Sequence, residues 1–82
     1  MHEYSLVQAM FDQIDEVVRA KRARAVRRVQ VRIGPLAGVD PELFRTAYDV
    51  YRARTFCADA PLEIVAAAGE ELLLDQLELE VP

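Results

Sequence analysis

The residues best placed to do chemistry lie at the very start of the chain, in "MHEYSLVQAM". The single histidine of the 82 residues is His2, directly beside the α-amine of Met1. The Met1 amine, the His2 backbone nitrogen and the His2 imidazole can close adjoining chelate rings around one ion. Glu3 adds a further backbone nitrogen and a carboxylate. A nitrogen-rich, roughly planar set of this kind favours Ni(II) or Cu(II). Amine and imidazole must shed protons to bind, so affinity should rise with pH. Histidine is too large a second residue for the initiator methionine to be removed, so Met1 is expected to stay. The competing reading is a solvated terminal His2, with Glu3 a first-turn acid stabilising the positive end of a helix.

Other chemistries find little support. Ser/His/Asp catalysis needs an imidazole held between a hydroxyl and an acid, which a histidine at a chain end does not offer. Cys57, the one cysteine, lies in "TFCADAP" and has no second histidine to activate it; it reads as a small buried or half-buried thiol. No CxxC pair exists, so structural zinc is not expected. "GPLAG" lacks the lysine and the strand–loop–helix spacing of a phosphate loop. No catalytic constellation remains, and the chain is not expected to be an enzyme.

The elements that would carry this terminus are legible. Residues 4–20 set Val7, Met10, Phe11, Ile14, Val17 and Val18 on one helical stripe, followed by the cations Lys21, Arg22 and Arg24. "RRVQVRIG" alternates, with Val29, Val31 and Ile33 on one side and Arg28, Gln30 and Arg32 on the other, as in a half-buried strand. After the loop "GPLAGVDP", Asp40-Pro41-Glu42 predicts a helix start with Asp40 as N-cap and Pro41 at the first helical position. Leu43, Phe44, Ala47, Tyr48 and Tyr51 are its expected buried side. "PLEIV" is a short strand. In "ELLLDQLELEV", Leu72 and Leu74 share one parity and Leu77, Leu79 and Val81 the other, which predicts a β-bulge near Asp75–Gln76. The order α-β-α-β-β predicts an α+β, two-layer domain: two helices on one face of a three-stranded mixed sheet.

At this length the chain is expected to be one domain, 1–82, and the single cysteine suits a reducing cytoplasm. The opening is not a signal peptide, and no apolar run reaches the length of a membrane span. Net charge is −4, unevenly spread: seven of ten cations lie between Arg19 and Arg32, and from Cys57 onward there are seven acids and no cation. A net acidic domain is a poor nucleic-acid surface. The pattern instead predicts that strand 28–33 lies beside strand 72–81, with Arg28 and Arg32 facing acids such as Glu78 and Glu80.

"MHEYSLVQAM" at the start, "VRIGPLAGVDPELFRTAYDV" in the middle and "GEELLLDQLELEVP" at the end resemble the HypA/HybF family of hydrogenase nickel-insertion proteins, over nearly the whole chain. The resemblance implies a nickel metallochaperone that holds Ni(II) weakly at Met1, His2 and Glu3. It implies delivery to the large subunit of a [NiFe] hydrogenase, in concert with the GTPase HypB, and in some bacteria service to urease. By the same resemblance His2 is the essential ligand, Glu3 contributes, and Asp40 approaches the metal or serves only as the helix cap. The family's zinc module, with two CxxC pairs between the last two strands, is missing here: "LEIVAAAGEELLL" runs straight on, with the junction near 66–70. The chain is either naturally short or has had the module removed. A metal-independent adaptor that binds maturation proteins is the alternative function. The short junction is expected to close an antiparallel hairpin in a monomer; a strand-swapped dimer is the other outcome.

Overall fold

The computed structural model describes residues 2–82. Its element order is α1 (His2–Lys21), β1 (Ala25–Ile33), α2 (Pro41–Tyr51), a 3-10 turn (Arg52–Arg54), β2 (Leu62–Ala66) and β3 (Leu72–Glu80). The α+β expectation holds: two helices and a three-stranded mixed sheet share one core, in which Val7, Ile14, Val18, Val29, Val31, Phe44 and Tyr48 are fully buried.

Helix α1 begins two residues earlier than the apolar stripe alone predicts. It ends where Arg22 turns left-handed at φ 54°. There the Ala23 N–H reaches back to the Val18 carbonyl at 3.0 Å, which satisfies a carbonyl the helix would otherwise leave open. Val7, Met10, Ile14 and Val18 form the buried stripe, while Phe11 and Val17 are only half-buried. Helix α2 starts at Pro41 with Asp40 as N-cap, as expected. Its buried side is narrower than predicted: Phe44, Ala47 and Tyr48 are covered, whereas Leu43 and Tyr51 remain 41% and 39% exposed. An eleven-residue helix lying over a sheet of three strands has cover along one stripe only.

The strand order is β2-β1-β3, with β2 parallel and β3 antiparallel to β1. β1 and β3 are neighbours, as the charge pattern predicts. The predicted bulge is present, because Gln30 pairs with Gln76 and Val31 with Leu74, leaving Asp75 over. A second irregularity leaves Arg27 over in β1 between Val26 and Arg28. These two extra residues return Val26, Leu74, Leu77 and Leu79 to the core side. They also change the ion pairs. Arg28 meets Glu78 as expected and reaches Glu63 on the other side, but Arg32 pairs with Glu71, and Glu80 pairs with Arg27.

The hairpin expected between β2 and β3 does not form, since β1 lies between them. Residues 67–71 instead arch over the end of β1 as a strap. The Ala67 N–H donates to the Ile33 carbonyl at 3.1 Å, the Gly34 N–H to the Glu71 carbonyl at 2.7 Å, and the Leu36 N–H to the Gly69 carbonyl at 2.7 Å. Gly69 takes φ 61°, which a residue without Cβ adopts at little cost.

Candidate metal centre

The end of the molecule that carries the sequence-derived ligands is built from two helix starts. His2 opens α1 and is exposed; Glu3 follows in the first turn and is half-buried. An α-helix leaves its first four N–H groups without intrahelical partners, so the backbone nitrogens here are not committed to the helical ladder. The Met1 amine lies outside the described residues.

Asp40 precedes α2, and its Oδ1 accepts from the Glu42 and Leu43 N–H groups at 2.9 and 3.4 Å. It is a helix N-cap, a role worth about 0.5–2 kcal/mol. The backbone N–H of Asp40 in turn donates to Glu3 Oε2 at 3.1 Å, thirty-seven positions away in sequence. Glu3 and Asp40 are therefore brought together, but through the backbone of Asp40 and not through a pair of carboxylates. The Asp40 bond holds the Glu3 carboxyl below its usual range, helped by the Glu3 N–H itself and by the charge of His2. Three acids, Glu3, Asp40 and Glu42, thus sit at two positive helix ends, where negative charge is favoured.

Rings hold the helices in this relation. Tyr4 and Tyr51 meet edge to face at 5.6 Å, and Phe11 stacks on Tyr48 at 5.4 Å. Geometry of this kind adds about 0.5–1.5 kcal/mol per pair beyond simple burial. The Tyr48 hydroxyl donates to the Ala60 carbonyl at 2.7 Å, and Arg52 donates to the same oxygen. Tyr4 was absent from the sequence-derived stripe, as was the contact made by Tyr51. Only the position of an aromatic at each helix end hinted at it.

Cys57 is fully buried, and burial pushes its thiol up from the ordinary value. That is the expected inert thiol. Among the described residues no three His, Cys, Asp or Glu side chains converge in a way that could hold a metal ion. No helix among the described residues is long and apolar enough to cross a membrane.

The family model described as "Hydrogenase/urease nickel incorporation, metallochaperone, hypA" matches residues 1–72. The chain belongs to the HypA family. A hydrogenase maturation factor HypA of Shewanella sp. strain MR-7 is 38% identical over 64 residues, which cover 78% of this chain and 54% of that one. The HypA of Shewanella oneidensis is 33% identical over 90 residues, covering all of this chain and 76% of its relative. The chain thus spans about half the length of several curated relatives it matches. Two solved structures share the fold. The solution structure of the Ni metallochaperone HypA from Helicobacter pylori superposes with a TM-score of 0.88 at 23% identity, covering 98% of each chain. A second HypA solution structure gives 0.81 at 25% identity, covering 96% of each.

Proposed function

We propose that this chain is a nickel carrier for enzyme maturation, binding Ni(II) through Met1, His2 and Glu3 and passing it to the large subunit of a [NiFe] hydrogenase. The carrying observation is the hydrogen bond from Asp40 to Glu3, which anchors the first turn of α1 and leaves the His2 side chain exposed beside it. Met1 amine, His2 backbone nitrogen and His2 imidazole are the core donors. Glu3 is held ready by its two N–H partners. Asp40, whose Oδ1 caps α2, has only Oδ2 left to offer the ion.

A carrier must also release its cargo. Few donors on an exposed helix start bind more weakly and exchange faster than a closed cage, as delivery requires. The chain is then a single nickel-binding domain, 1–82, with the family's zinc module missing at the junction near 66–70, where the strap 67–71 passes over the end of β1. HypB, the hydrogenase large subunit and urease maturation proteins are the partner classes that go with this role. It acts in the cytoplasm, as a monomer, without chemistry of its own.

A nickel titration of the untagged chain, set against one carrying any N-terminal extension, tests this. An extension turns the Met1 amine into an amide, so nickel binding should be lost. Equal affinity in the two would favour a metal-independent adaptor that keeps the scaffold and binds maturation proteins alone.

A further inference from the structure

We infer that the strap at residues 67–71 is a positioning element for the metal-binding end, acting through Gly34 and the loop 34–39 on Asp40 and Glu3. This rests on the nickel reading above for its consequence, but the mechanical coupling stands on contacts of its own.

Gly34 is where the strap and the loop touch. A Cβ on Gly34 would come within 2.7 Å of the Ala68 carbonyl oxygen and closer still to that of Gly69, both of them backbone atoms. Gly34 does not take a positive φ, so glycine is required here by close approach and not by conformation. The same two segments exchange hydrogen bonds, from Gly34 N–H to Glu71 and from Leu36 N–H to Gly69, both at 2.7 Å. Within the loop, the Ala37 N–H closes a turn on the Gly34 carbonyl at 3.2 Å. Gly38 then turns at φ 74°, and Val39 packs against the core immediately before Asp40.

Asp40 is the last link. Its N–H holds Glu3, and its Oδ1 starts α2. Five residues separate Gly34 from Asp40, and the loop is pinned at both ends, so a displacement at Gly34 has only a short segment through which to be absorbed. The strap itself is mostly exposed, with Ala68, Gly69, Glu70 and Glu71 all open to solvent. Whatever is seated on it or inserted into it would therefore bear on the loop and hence on the carboxylate and helix start at the metal end.

Two variants test the coupling. Gly34→Ala forces the strap to lift. Inserting two glycines between Ala68 and Gly69 slackens it without a clash. In each, amide exchange at Asp40 in the metal-free protein should quicken about threefold or more, with shifts in the Glu3 and Asp40 resonances. Nickel affinity should fall by a similar factor although Met1, His2, Glu3 and Asp40 are untouched. Val29→Ala serves as control: it weakens the core at a fully buried position and should leave both readouts in place while the protein stays folded. If both strap variants fold with changes confined to 33–36 and 67–71, and nickel affinity is unaltered, the coupling is overturned. If Gly34→Ala fails to fold, the glycine insertion decides alone. Should the parent chain bind no nickel through His2, the exchange at Asp40 still tests the coupling, so the two failures are distinguishable.

Discussion

Glu3 Oε2 accepts a hydrogen bond from the backbone N–H of Asp40 at 3.1 Å, joining the first turn of α1 to the cap of α2. The contact ties the start of α1 to the start of α2. It also means that the acid beside the histidine is already engaged before any ion arrives.

His2→Ala should abolish specific nickel binding while changing unfolding free energy by less than about 0.5 kcal/mol, since His2 is an exposed side chain away from the core. Calorimetric titration with nickel and urea denaturation of the same sample measure the two quantities. A large loss of stability would show that the side chain has a structural role instead.

Asp40→Asn and Asp40→Ala separate the cap from the ligand. Asparagine caps nearly as well as aspartate, so its stability should match the parent, whereas alanine should cost about 1 kcal/mol. With the cap retained in Asp40→Asn, nickel affinity should fall less than tenfold. A loss as large as that of His2→Ala would make the Asp40 carboxylate a direct ligand.

The depressed Glu3 carboxyl contributes stability at pH values above its unfolded range, near the ordinary 4.5, and that contribution disappears as pH falls through the lower folded value. Glu3→Gln keeps an oxygen that can accept from Asp40 but loses the charge, so its stability should fall below the parent's at neutral pH and converge with it in acid. The acid limb of a urea-midpoint profile should become shallower below about pH 4.5 in the variant. Superimposable profiles would mean that ionisation of Glu3 adds no stability in the folded state.

Cys57 should react with a thiol reagent only as fast as the domain opens, because the sulfur is fully buried and its thiol is held above the ordinary range. Labelling rates followed through increasing urea should track the unfolding transition. Rapid labelling in native buffer would place the loop 55–60 in a separate, readily opened unit.

Arg28 spans the sheet, meeting Glu63 of β2 and Glu78 of β3. All three side chains are partly or well exposed, so a double-mutant cycle for Arg28 and Glu78 should return about 0–1 kcal/mol, shrinking with salt. A coupling well above that would mark the pair as a true structural clamp of the central strand.

Much of this molecule is local and so was legible in the sequence. Helical spacing marked α1 and α2, alternation marked β1, and Asp40-Pro41-Glu42 marked a helix start that the hydrogen bonds to Glu42 and Leu43 reproduce. The break in parity between Leu74 and Leu77 was enough to place a bulge, because side chains on a strand alternate strictly and only an extra residue restores the face. The candidate donors Met1, His2 and Glu3 are contiguous, so they could be put forward without a fold.

Only the tertiary structure decided what lies beside what. Alternation says which side of a strand is buried but not which strand is its neighbour, so the central place of β1 and the strap replacing a hairpin could not be read from "VAAAGEE". The exposure of Leu43 and Tyr51 follows from how much sheet α2 has beneath it, which no helical periodicity contains. The same holds for the bond between Glu3 and Asp40 and for the close approach of Gly34 to the strap. Each is a contact between residues far apart in the chain, and the packing of the whole domain, not the propensity of either segment, brings them together.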